Sequence, residues 1–164
     1  MADLIGTVRR NHALEHATLS VMLRRLGRDI RAMGRATGDG YFLYADVPTE
    51  FFRECAHEAL QRMKAGEGHL AVSPFCGTNI AVAGALTAAA SLFVAGRSTR
   101  SDRLPNAMLA SMLAVVAAQP LGRMLQKHVT TSPDMTDLEI VDITPGGRGG
   151  ARYHKVTTRR SAAA

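Results

Sequence analysis

Two stretches without a single charged residue, 71–96 and 104–122, are separated by seven residues that carry Arg97, Arg100, Asp102 and Arg103. Each is close to the roughly 20 apolar residues that a bilayer-spanning helix needs, and a short charged turn between them makes a helical hairpin. Neither is uniformly apolar. The first opens on Ser73-Pro74 and Cys76-Gly77-Thr78-Asn79, and the second contains Pro105, Asn106, Gln119 and Pro120. Near the minimum spanning length, residues 80–122 are expected to form a membrane hairpin, with a buried or oligomer-forming soluble pair as the alternative.

A hairpin returns the chain to the side it started from, so the flanking parts share one compartment. Arg97, Arg100 and Arg103 on the turn compete with Arg62, Lys64, Arg123 and Lys127 on the other side, so the positive-inside rule does not choose the orientation. The cysteines decide it. Cys55 and Cys76 cannot form a disulfide framework, no segment at the start reads as a cut secretory signal, and a thiolate kept reduced belongs in the cytoplasm. The expected location is the cell membrane with the flanking domain on the cytoplasmic side, or else the cytoplasm.

The flanks read as an α+β fold, a two-layer sheet with helices. Residues 3–27 form an amphipathic helix with Leu4, Ile5, Val8, Leu19, Met22, Leu23 and Leu26 on one stripe, ended by Gly27. Residues 30–37 and 41–47 are expected as a hairpin around Gly38-Asp39-Gly40. A helix follows over 49–65, with Phe52, Cys55, Ala56, Ala59, Leu60 and Met63 inward, and then a strand over 69–72. Two more strands are expected over 138–143 and 152–158, before a frayed tail. The glycine-rich run 145–150 between them has no following Lys-Ser/Thr and no helix, so it is no phosphate cradle. The expected organisation is a core over 1–79, the hairpin over 80–122, and C-terminal strands over 123–164 that return to complete the sheet.

The formal charge of +6 invites a nucleic-acid reading. Residues 1–70 carry ten Lys/Arg against nine Asp/Glu, the remaining excess is spread over a loop and the tail, and aromatics make up 5% with no Trp. Without a clustered basic face or stacking aromatics, no nucleic-acid partner is expected.

Chemistry concentrates in His12-Ala13-Leu14-Glu15-His16. At 100° per residue and with Val8 as zero, His12 lies at about 40°, His16 at about 80° and Glu15 at about −20°, on the stripe that should be buried. Burying an unpaired carboxylate or imidazole costs several kcal/mol, so each needs a hydrogen bond, a counter-ion or a metal. Imidazoles at i and i+4 converge on one ion, and His-x-x-Glu-His is the inverted zincin order, with the glutamate as base for a water. Cys76 is the expected third ligand, because it stands where a helix begins and a helix N-terminus favours thiolate. Cys55 reads as a small buried hydrophobe. Glu54, His57 and Glu58 read as solvated, with Glu54 or Glu58 a minor ligand option, and His69, His128 and His154 as isolated.

The order helix with His-x-x-Glu-His, strand, turn, strand, helix, strand, Cys resembles the S-ribosylhomocysteine lyase family and, more distantly, the pitrilysin-type peptidases. In those lyases a His-Thr-Leu-Glu-His helix is followed by Met-Gly-Cys-Arg-Thr-Gly-Phe-Tyr-Leu and by Gln-Cys-Gly. Here the matching segments are His12 to His16, Met33-Gly-Arg-Ala-Thr-Gly38 with Tyr41-Phe-Leu43, and Phe75-Cys76-Gly77. Over residues 3–80 the resemblance implies a zinc ion held by His12, His16 and Cys76, with Glu15 as acid/base beside an open fourth position. Arg35 stands where those lyases have their catalytic cysteine. A guanidinium is no base near neutral pH, so the lyase reaction is not expected, and Arg35 is assigned to an anionic substrate group instead. The whole chain also looks like an uncharacterised bacterial family with the segments Arg-Asn-His-Ala-Leu-Glu-His and Cys-Gly-Thr-Asn, which brings no activity.

The function expected is zinc-dependent hydrolysis, with a peptide among the substrates, by a His/His/Cys site and Glu15 as general base, in a chain held at the membrane by residues 80–122, with a second copy of the chain as a further partner to consider. The alternative is a non-catalytic, zinc-stabilised membrane or assembly protein. A fourth protein ligand such as His69 would favour it, since closed zinc sites are structural.

Overall fold

The computed structural model describes residues 4–27, 30–97, 99–148 and 151–161. It is an α+β chain in two compact units, residues 1–73 with 129–164, and residues 74–128. The C-terminal strands thus belong to the same unit as the N-terminal core, and the apolar unit begins at Pro74, ahead of the expected boundary at 79/80.

In the first unit, α1 (Leu4–Leu26) leads through β1 (Met33–Thr37) and β2 (Gly40–Tyr44) to α2 (Thr49–Lys64), and the chain returns as β3 (Leu138–Arg148) and β4 (Ala151–Arg160). The sheet is antiparallel in the order β1-β2-β4-β3, so β4 lies between β2 and its own hairpin partner. Alternation places Tyr41, Leu43, Ile143 and Val156 on the helix side, fully or almost fully buried with Leu14, Met22 and Phe52. Each such side chain contributes about 1.5–3 kcal/mol on burial. The opposite face carries a chain of ring contacts, Phe42 to Tyr153 at 5.7 Å and Tyr44 to Tyr153 at 5.5 Å.

Burial on α1 starts later than the sequence suggests. Leu4 and Ile5 are exposed, and the buried run begins at Asn11, whose side chain donates to Thr37 O (2.8 Å) and accepts from the Thr158 hydroxyl (2.7 Å). One amide thereby ties the helix to both β1 and β4.

The strand expected over 69–72 is instead a 3₁₀ turn, Gly68–Ala71. Its amides close locally, Leu70 N–H to Glu67 O (3.1 Å) and Val72 N–H to His69 O (3.3 Å), so the segment has no ladder to join. The last two strands are longer than expected. Pro145 and Gly146 sit in β3 opposite His154 and Tyr153, which an edge strand tolerates because the proline lacks only an outward N–H. Gly149 and Gly150 of the expected loop, and residues 162–164 of the tail, lie outside the described residues.

The second unit is the helical pair α3 (Gly77–Ala95) and α4 (Arg103–Leu125), the latter running on as a π turn, Gln126–Thr130. Its packing is inverted relative to a soluble pair. The buried positions of α4 are the small residues Ala114, Ala118 and Gly122, four apart, whereas Leu92, Phe93, Met112, Leu113 and Val116 point outward and are 62–75% exposed. Small residues let two backbones approach, the arrangement of helices packed in lipid. Gly122 meets Asn79 so closely that a Cβ there would overlap the amide. Both helices are long and apolar enough to cross a membrane.

Candidate metal centre

His12 and His16 lie one turn apart on α1, their ring centroids 4.4 Å from each other. His12 Nδ1 is 3.0 Å from Thr130 O, and His16 Nδ1 is 2.8 Å from Ala71 O. A carbonyl oxygen only accepts, so in both rings Nδ1 carries the proton and donates it, and Nε2 bears the lone pair. That tautomer, fixed by a backbone carbonyl, is the one that metal-binding histidines commonly adopt.

Cys76 is the N-cap of α3. Its Sγ accepts from Thr78 N–H at 3.4 Å, and the side chain is buried. A polar relay within the same unit holds this cap: Gln126 donates to Asn79 Oδ1 (2.8 Å), Asn79 donates to Pro74 O (2.9 Å), and Asn79 N–H reaches Cys76 O (3.0 Å). One ligand atom from each of His12, His16 and Cys76 lies within 4.8 Å of the other two. Among the described residues this is the only cluster of three or more His, Cys, Asp or Glu side chains with such spacing. The donor set suits zinc, which takes imidazole and thiolate, and it leaves a tetrahedral site one position short.

Glu15 is buried and is not part of that cluster. Its carboxyl lies against Gly34 of β1, where any Cβ would overlap it. Close by, the fully buried Tyr41 hydroxyl is 2.7 Å from Thr18 Oγ1, which donates its own proton to Leu14 O (2.8 Å), so Tyr41 is the donor of the pair. Burial first, and then the Glu15 charge, push the Tyr41 phenol well above its ordinary value and keep it neutral. Gly34→Ala is therefore expected to force the Glu15 carboxyl out of its seat. The cost should be about 1–3 kcal/mol, an overpacking loss measurable by denaturant unfolding.

Arg35 does not join this group. It is exposed on β1 next to Gly34, and alternation turns it to the face opposite Glu15, across from Phe42. Glu54 pairs with Arg25 (2.8 Å), and Glu58 lies 3.8 Å from Arg25 and 3.6 Å from Arg62. His57 and His69 are exposed, the latter 3.9 Å from Glu67. Cys55 is fully buried on α2, and burial pushes its thiol up, away from ligand duty. His154, expected as isolated, is buried against Phe52. Sequence reasoning missed Gly34, Asn79, Gln126 and the carbonyls of Ala71 and Thr130. Asn79, three residues after Cys76, was the one with a visible signal.

The family described as "Domain of unknown function (DUF6391)" matches residues 7–143. An uncharacterised protein of Picosynechococcus sp. is 32% identical over 138 residues, 76% of this chain and 66% of that relative. The aligned part thus spans a little under two thirds of the relative's length. No solved structure matches. These findings overturn the likeness to S-ribosylhomocysteine lyases and pitrilysin-type peptidases, since no metallohydrolase family matches and the matching family covers both the histidine motif and the apolar hairpin. The physical reason is plain. Imidazoles at i and i+4 are what any helix needs to turn two ligands toward one ion, so the motif does not carry ancestry.

Proposed function

We propose, for a chain that belongs to the DUF6391 family and takes no activity from that family's description, that it is a membrane-held zinc protein acting as a hydrolase. The observation that carries this reading is the pair of Nδ1–H donations to Ala71 O and Thr130 O, which present both Nε2 lone pairs as ligands. Zinc, when bound, supplies a Lewis acid that polarises a carbonyl and brings the pKa of water to about 7. His12, His16 and Cys76 would hold it, and the thiolate would draw support from the α3 N-terminus and Thr78 N–H. Glu15, buried and adjacent to His16 but outside the ligand cluster, would take a proton from the attacking water and return it to the leaving group. A peptide bond is the first substrate class to test. The outward apolar side chains and small-residue packing of α3 and α4 support a membrane hairpin, and the reduced thiols favour the cytoplasmic side for the sheet and its site.

The deciding variant is Glu15→Gln. It is expected to keep zinc and fold while lowering hydrolysis of a peptide library at least 100-fold, because an amide accepts no proton. Unchanged activity shows that Glu15 is structural and not the base, and activity absent from the zinc-loaded parent points to the non-catalytic reading, in which the metal only ties the first helix in place.

A further inference from the structure

One face of the sheet carries no helix of its own unit, since α1 and α2 pack on the side of Tyr41, Leu43, Ile143 and Val156. Such a face of an antiparallel sheet is ordinarily polar, and here its centre is not. The register sets Met33, Tyr44, Tyr153 and Gly146 side by side across β1, β2, β4 and β3, a row without charge. The next row is Arg35, Phe42, Lys155 and Thr144. Met33 is 67% exposed, and the half-buried rings of Phe42, Tyr44 and Tyr153 lie in contact. Strand pairing thus gathers on one surface aromatic side chains that stand more than a hundred residues apart in the chain.

The charges around this centre balance. Lys155 is 2.8 Å from Asp39 and Arg159 is 3.9 Å from Glu139, and the remaining Arg35 and Asp142, both exposed, have no ion pair among the described residues. A face without net charge does not recruit a polyanion such as a nucleic acid. The unpaired cation stands on β1 and the unpaired anion on β3, the two opposite edges of the sheet. A surface that is basic at one edge, acidic at the other and aromatic between them complements a turned copy of itself.

We propose that this face is the contact between two copies of the chain, packed sheet on sheet about a two-fold axis parallel to the strands. Such an axis lays β1 of one copy over β3 of the other, and β2 over β4. Met33 then covers Gly146, and Tyr44 meets Tyr153. Phe42 meets Lys155, whose Nζ already lies 4.4 Å from the Phe42 ring of its own chain. Arg35 comes over Thr144, with Asp142 two residues further along β3, about 7 Å away and within reach of a long side chain. A two-fold axis across the strands would instead set Arg35 on Arg35 and Lys155 on Lys155, so like charge excludes it.

Sedimentation equilibrium of the full-length protein in density-matched detergent tests the contact. Four strands and a five-residue β1 give a face of roughly 19 Å by 17 Å, at the small end of specific interfaces, so a dimer of micromolar dissociation constant is expected. Arg35→Glu sets a glutamate against Asp142, and Asp142→Arg sets an arginine against Arg35. Each turns two attractive pairs repulsive and is expected to weaken the dimer about 10-fold. Both positions are exposed, and circular dichroism checks that the fold is kept. An equal mixture of the two variants restores opposite charges in both pairs, and is expected to recover the parent's affinity to within about threefold. A parent that stays monomeric at about 100 μM, single variants that dimerise like the parent through the apolar helices, or a mixture without rescue overturns the proposal. A monomeric parent that binds a single-stranded oligonucleotide or anionic vesicles, and loses that binding in Arg35→Glu, overturns it in favour of those occupants.

Discussion

Protein purified without chelators is expected to carry about one zinc per chain, and His16→Ala or Cys76→Ser to lose it together with a large part of the stability of the sheet unit. The size of the effect follows from coupling. Structural zinc in small sites contributes on the order of 10 kcal/mol, an amount comparable to the whole stability of a domain this size. His16 is buried within the core helix, next to Ala17 and Thr18, so an unliganded imidazole there is held by Ala71 O alone among the bonds described above. Elemental analysis beside thermal unfolding, with and without added zinc, reads both quantities. Acid should release the metal, because protons compete for the same lone pairs. A His16→Ala protein with full zinc occupancy would show that the ligand assignment is wrong. Gln126→Leu gives a graded version. It removes the donor to Asn79, loosens the Cys76 cap, and should cost 10- to 100-fold in zinc affinity, as outer supports of metal ligands commonly do.

The second large effect concerns the hairpin. The parent protein is expected to stay in the membrane pellet through a carbonate wash, and the double variant Leu113→Arg/Val116→Arg to leave it. Both residues lie mid-way along α4 and are outward, 62% and 70% exposed. Arginine at the centre of a spanning helix costs about 2.5–3.5 kcal/mol on the insertion scale, so the pair is enough to tip a marginal hairpin. The same substitutions in a soluble protein would improve solubility and leave the fold alone. Parent protein found wholly in the soluble fraction would make α3 and α4 oligomer-interface helices instead.

Local order was readable where one residue type does a local job. The 3.6-residue pattern gave α2 and its inward Phe52, Cys55, Ala56, Ala59, Leu60 and Met63, all buried. The polar segment Cys76 to Asn79 marked a helix start because a side-chain acceptor is needed there. Other features carry no such mark. A carbonyl oxygen is the same on every residue, so nothing in the sequence singles out Ala71 or Thr130 as the groups that set the histidine tautomers. Four residues, His69-Leu-Ala-Val72, fit a strand or a 3₁₀ turn equally, and the flanking Gly68 and Pro74 only bound the segment. Arg35 matches a family position only through a short segment, and such a match does not register the alternation of β1, which gives the inward place to Gly34. The reach of β3 through Pro145 was hidden because Pro and Gly read as loop unless the strand is known to be at an edge.

The strand order also sets a timetable for synthesis. β2 lines up with β4, which leaves the ribosome more than a hundred residues later, at roughly 5–20 residues per second. For several seconds the first helices and the β1-β2 hairpin exist with one sheet edge bare, while residues 74–128 are being made. His12 waits as well, since Thr130 follows the hairpin just as Ala71 precedes it. The segments on either side of residues 74–128 therefore bond to α1 one helical turn apart, and the tautomers of both histidines are set only after those residues have been made. A nascent chain that stalls in residues 74–128 is left with β2 lacking its β4 partner and with the Thr130 carbonyl not yet made for His12.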